Sequence, residues 1–221
     1  MRNPLRLKRH GLCRLAKILA NLTAMVLLTF SVYGCGKPPT LVQKYLLEYP
    51  SPAVAASARI DEGVKVEVFS VAQAFNSTAM VYRPNPYKSD AYAYHRWRVN
   101  PGNLISDYLV RDLRNSGLFK AVFSTGQAGA NRFLIEGGVE EFQEIDEPGG
   151  WQAALAVNIT LLDLNHQEIT KRVVFQKNYR AAEPLTEQTP QGLAKGMSRA
   201  MARLSDQIIT DIYQAAKRAG K

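Results

Sequence analysis

The chain has 221 residues, 46% hydrophobic and 21% charged, the composition of an ordinary globular domain rather than a disordered or fibrous one. Its formal charge of +9 invites a nucleic-acid reading. That reading loses its support once the charge is located. Arg2, Arg6, Lys8, Arg9, Arg14 and Lys17 precede residue 35 with no acid among them, leaving 22 of the 28 basic residues to face 19 acidic ones.

The first element is a targeting segment. A basic stretch runs to Lys17, an apolar run covers Ile18 to Phe30, and small or turn-forming Ser31 and Gly34 follow, the layout of a secretory signal. Extended to Tyr33, the apolar run has 16 residues and includes Asn21, Thr23, Thr29 and Ser31. A spanning helix needs about 20 mostly apolar residues, so a signal fits better than a permanent anchor. With Cys13 inside the signal, the mature chain keeps one cysteine, Cys35, and no intramolecular disulfide is possible. An unpaired thiol in an oxidising compartment asks for another role. Val32-Tyr33-Gly34-Cys35 resembles the bacterial lipobox, with Tyr33 departing from the usual small residue at that position. The resemblance implies cleavage before Cys35 and a diacylglycerol on its sulfur. Two or three acyl chains hold a protein to a membrane where one is marginal. Gly36, in place of Asp, implies the outer membrane, with the domain facing the periplasm. The expected organisation is a signal over 1–34, a lipidated tether over 35–43 containing Pro38-Pro39, and a domain over 44–221.

Within that domain, Lys44–Tyr49 is a strand candidate and 51–57 a loop of small residues. Val64–Val71 alternates, with Val64, Val66 and Val68 on one face, and predicts a half-buried strand. Ala79–Arg83 is a short strand, after which Pro84, Pro86 and clustered tyrosines interrupt the pattern. Asn100-Pro101 opens a helix whose apolar stripe is Leu104, Ile105, Tyr108, Leu109 and Leu113, closed by Gly117. A strand over 118–123 and a turn over 126–131 follow. Three long strands come next, over 132–145, 151–164 and 168–180. They are joined by turns at Glu147-Pro148-Gly149-Gly150 and Asn165-His166. Phe142 breaks the parity of Phe133, Ile135 and Val139, so a bulge is expected at Gly137-Gly138. Thr189-Pro190 caps a last helix to about Arg218, burying Leu193, Met197, Ala200, Met201, Leu204, Ile208 and Ile212. The expected fold is α+β: a mostly antiparallel sheet of five to seven strands carrying two amphipathic helices.

The residues point away from catalysis. His95 and His166 lie far apart, each without a Cys or Asp at ligand spacing, and neither a phosphate loop nor a Gly-x-Ser-x-Gly elbow occurs. No cofactor or metal is expected. The acidic run of Glu136, Glu140, Glu141, Glu144, Asp146 and Glu147 reads as a solvated strand face and turn. The unusual stretch is 82–98, which interleaves Tyr82, Tyr87, Tyr92, Tyr94 and Trp97 with Arg83, Lys88, Arg96 and Arg98. Amphipathic aromatics beside cations suit an interface with protein or lipid headgroups, and Tyr82, Arg83, Tyr94, Arg96 and Trp97 are its candidate partner-binding residues. Aromatic and cation packing inside the domain fits the same residues.

The lipobox, Lys44-Tyr45-Leu46-Leu47, the strand VKVEVFSV and Met80-Val81-Tyr82-Arg83 occur in that order, followed by Trp97 ahead of a helix with Leu109, Arg111 and Leu113, and then Gly117–Val122. In order and spacing they resemble the ABC-type transport auxiliary lipoprotein family over most of residues 35–215. The resemblance implies a non-catalytic accessory of an envelope transporter built from an ABC permease, an ATPase and an MCE-domain protein, moving phospholipids or other apolar molecules between two membranes. It leaves a homo-oligomer open. An envelope scaffold or cell-wall-synthase activator is the alternative.

Overall fold

The computed structural model describes residues 22–23, 40–54 and 58–220. Cys35, the lipobox and most of the signal and tether lie outside them. Among the described residues no helix is long and apolar enough to cross a membrane. The chain forms two compact units that divide at residues 41 and 42, the second being Val42–Lys221.

Its strands are β1 (Gln43–Tyr45), β2 (Ile60–Val66), β3 (Ser70–Val71), β4 (Ala79–Asn85), β5 (Lys88–Trp97), β6 (Phe119–Ser124), β7 (Phe133–Glu147), β8 (Gly150–Asp163) and β9 (Val173–Pro184). The helices are α1 (Pro101–Ser116) and α2 (Pro190–Ala219). Both helix starts follow the sequence rule. The Asn100 and Thr189 side chains accept from the Gly102 and Gly192 amides, with proline at the first helical position. Gly117 closes α1 at φ 65°, a conformation open to glycine at little cost.

The α+β class holds, but the sheet is larger than expected and mixed, not mostly antiparallel. It has nine strands, and β1·β5, β2·β6, β2·β7, β3·β7 and β4·β7 are all parallel pairs. Only β4·β5, β7·β8 and β8·β9 are antiparallel. The reason is topological. Adjacent hairpins pair locally, whereas α1 carries the chain across the sheet and returns β6 beside β2, and parallel neighbours need such crossovers. β7 is the organising strand. One edge pairs with β8 along its whole length, and the other is served in turn by β2 at Phe133–Ile135, β3 at Gly138–Val139 and β4 at Glu144–Ile145.

Several boundaries move for identifiable reasons. The expected strand over 64–71 splits into β2 and β3 with Phe69 buried between them. Gly137-Gly138 does not form the bulge. The shift lies at Val139/Glu141, and it restores Phe142 to the helix-facing side. The two glycines make room instead: a Cβ on Gly137 would stand 2.8 Å from the Phe69 ring, and one on Gly138 2.8 Å from Ser70 Oγ. Residues 46–49 of the first candidate strand leave the sheet after β1. The turn expected at Asn165-His166 widens into a connection with a 3-10 turn at Ile169–Lys171, so β9 begins at Val173.

The core lies between the sheet and the helices, where Leu104, Ile105, Leu109 and Leu113 of α1 and Leu193, Met197, Leu204 and Ile208 of α2 meet Phe133, Ile135, Leu155 and Val157. At the C-terminal end of α2, Arg132 clamps helix to sheet. Its Nε and Nη2 donate to the Asp163 carboxylate at 3.0 and 2.7 Å, and Nη2 donates to the Ala219 carbonyl at 2.7 Å. These bonds hold the Asp163 carboxyl below the usual carboxylate range.

A buried polar node joins α1, α2 and the chain after β1. Asp112 is fully buried in α1. Its Oδ1 accepts from Ser51 Oγ at 2.7 Å and Arg111 Nε at 2.8 Å, and its Oδ2 from Tyr49 OH at 2.7 Å and Ser205 Oγ at 2.6 Å. Four donors occupy the lone pairs of one carboxylate. The Arg111 guanidinium lies over the Tyr49 and Tyr108 rings at 4.3 and 4.5 Å, and Tyr108 OH donates to the Leu47 carbonyl. Burial, followed by the charge of Asp112, pushes the Tyr49 phenol far above its ordinary range.

Candidate functional site

The tyrosine-rich stretch, expected to be irregular, is the β4–β5 hairpin. Pro84 falls at the register irregularity between Tyr82/Asp90 and Asn85/Lys88, where a missing N–H costs no ladder bond. The hairpin brings the five candidate residues onto neighbouring strands but gives them different environments. Tyr94 is exposed, while Tyr82 and Arg83 are half-buried. Arg96 is turned back on the chain, its Nη1 donating to the Tyr92 and His95 carbonyls at 2.5 and 2.8 Å. Trp97 is withdrawn from the surface. It is 1% exposed and packs on Phe142 at 4.9 Å between ring centroids, so core packing is the structural role of this residue. Tyr45 OH lies 3.0 Å from His95 Nδ1 with the two rings 5.7 Å apart, so this contact joins β1 to β5 beside their ladder, and Tyr92 meets the His95 ring edge-on within β5.

Beneath the hairpin lies a carboxylate pair. The acidic run was expected to be solvated throughout, and Glu144 overturns that expectation for itself. It sits on β7 opposite Ala153, facing the helix side of the sheet, with no exposed surface. Tyr92 OH donates to its Oε2 at 2.9 Å, and its Oε1 has no donor. Asp146, two residues along the same strand face, accepts from Gln188 Nε2 at 3.1 Å on Oδ2 and keeps a buried Oδ1 without a donor. Burial first, and the neighbouring Asp146 charge as well, push Glu144 up to about 7. The bulge at Val139/Glu141 decides this placement, because it turns every later even-numbered residue of β7 toward the helix side. Glu140 and Glu141 stay nearer solvent, paired with Asn158 and Arg180.

A groove of about 590 Å³ runs between residues 45–50 and the first half of α2. Its lining includes Leu46, Tyr49, Pro50, Ala194 and Ala202, with Lys195 and Arg199 at hand. The groove carries no sequence signal, whereas Glu144 shares the parity of Phe142 and so follows it to the core face. In the sequence Leu46 belongs to a strand pattern and Glu144 to a run of six acids.

The family model of the ABC-type transport auxiliary lipoprotein component matches residues 45–209. The chain belongs to that family. The match begins at Tyr45 in β1 and ends within α2, so this auxiliary lipoprotein carries the family domain as one continuous unit. Among solved structures, the auxiliary lipoprotein is similar to a Xanthomonas campestris protein at 17% identity and a TM-score of 0.72, over 80% of this chain and 98% of that one. A second, uncharacterized protein matches at 13% identity and a TM-score of 0.60, over 77% of this chain and 99% of the other. At these identities the likeness is one of fold. No curated protein matches.

Proposed function

We propose that the mature chain is a non-catalytic subunit of an MCE-type ABC transporter, tethered by acylated Cys35 to the periplasmic face of the outer membrane. There it docks the complex that moves phospholipids or other apolar molecules between the two membranes. The observation that carries the reading is the family match over residues 45–209, in a chain whose signal ends in a lipobox cysteine. The ATP chemistry belongs to a separate subunit, in keeping with a sequence that has no phosphate loop.

Two measurements test it. Cys35→Ala should abolish incorporation of labelled fatty acid, and unchanged labelling would refute the anchor. The wild-type chain, extracted in mild detergent, should bring down an MCE-domain protein together with permease and ATPase. Recovery of cell-wall synthases in their place would favour the scaffold reading.

A further inference from the structure

One end of the sheet carries two exposed aromatic side chains on tight turns. β4 and β7 run parallel in the register Tyr82↔Glu144 and Arg83↔Ile145, so the β4–β5 and β7–β8 turns project from the same end. Tyr87, at the first turn, is 100% exposed. Trp151, just after the second, is 39% exposed. Both turns are held in shape. The Tyr87 amide donates to Asn85 Oδ1 at 3.0 Å, the Trp151 carbonyl accepts from the Leu185 amide at 2.8 Å, and Gly150 takes a φ of 129° that favours glycine. Ordered aromatics lose little entropy on transfer to an interface, and Tyr and Trp are the residues that favour the headgroup layer.

The path of the chain says which surface this end meets. β1 runs parallel to β5 with Gln43 beside His95, so the chain enters β1 from the side on which the tips lie. Along β5 from His95 back to Lys88 is about 23 Å at the usual strand rise. From Cys35 to Gln43 is eight residues, at most about 28 Å of extended chain. The two lengths nearly match, so a tether fixed in a bilayer at Cys35 reaches little beyond the plane of the tips. β7, 15 residues long, carries the opposite end of the sheet roughly 50 Å away.

We propose that Tyr87 and Trp151 form a membrane-contact site seated in the headgroup layer of the bilayer that holds the lipid anchor, so that the sheet stands with this end down and the Ile169 end directed away. The proposal rests on the anchor reading of Cys35. Charge at the tips is mixed, with Arg83 and Lys88 against Asp90, Asp146 and Glu147. The contact is therefore aromatic rather than electrostatic and does not require anionic lipid.

The test uses the mature lipidated chain in phosphatidylcholine vesicles. Acylation blocks Cys35, so a Lys88→Cys chain carries a single free thiol for a polarity-sensitive fluorophore, and Ile169→Cys provides the same label at the opposite end. The expected result is a blue shift at residue 88, with most of its emission lost to lipids brominated high in the acyl chain, and neither effect at residue 169. Adding Tyr87→Ser and Trp151→Ser should abolish the shift while the protein still floats with the vesicles. Protein that floats with an unshifted label at residue 88 overturns the contact site alone. Protein that fails to float overturns the anchor, and the contact site with it.

Discussion

Asp112→Ala is expected to cost about 4 kcal/mol of folding stability, a large share of what holds a domain of this size together. The carboxylate is the common acceptor of four donors from three parts of the chain: Tyr49 and Ser51 after β1, Arg111 in α1 and Ser205 in α2. Alanine leaves an arginine without its counter-charge and three hydroxyls without their acceptor, those of Tyr49 and Ser205 in buried surroundings, and each orphan costs its own desolvation. Asp112→Asn should fall between wild type and Asp112→Ala, since an amide can keep only part of the acceptor set. Urea unfolding monitored by circular dichroism gives the comparison. A loss below about 1 kcal/mol for Asp112→Ala would mean that water enters the site and replaces the carboxylate.

Glu144→Gln should have the opposite sign and a dependence on pH. The folded state raises this carboxyl from 4.5 to about 7, so native protein holds a proton there that the unfolded chain releases. The stability contributed by that proton is fully present below about 4.5 and is lost as pH rises through 7. At 1.36 kcal/mol per tenfold change in proton affinity, the loss amounts to about 3 kcal/mol. Glutamine keeps an acceptor for Tyr92 and supplies a permanent donor toward Asp146. The variant should match wild type at pH 4.5 and exceed it by up to about 3 kcal/mol at pH 8. Parallel stability curves for the two proteins across that range would show that Glu144 ionises normally in the folded state.

Both sites show where reading along the chain runs out. Asp112 stands three residues after Leu109 and seven after Ile105, on the apolar stripe of α1, and an acid at such a position signals a buried partner. The partners themselves, Tyr49 and Ser205, are 63 and 93 residues away, and no local pattern names them. Glu144 reads as solvated when it is taken as one acid of a charged run, yet the parity shift that returns Phe142 to the core carries Glu144, two residues on, to the same face. Trp97 illustrates the same difficulty. Aromatics among cations suit a surface and a core equally well, and only the seat on Phe142 separates the two.

What the sequence determined by itself was what local physics controls. The caps of both helices, their buried stripes and the long strands of the meander are set by residues within a few positions of one another. The tertiary structure decided what depends on distant segments meeting. Three short strands line up along one edge of β7, α1 carries β6 across to pair in parallel with β2, and two turns far apart in the chain place Tyr87 and Trp151 at one end. Strand pairing is a contest among many edges of similar chemistry. It is settled by crossover geometry and by the shared core, neither of which any single strand encodes.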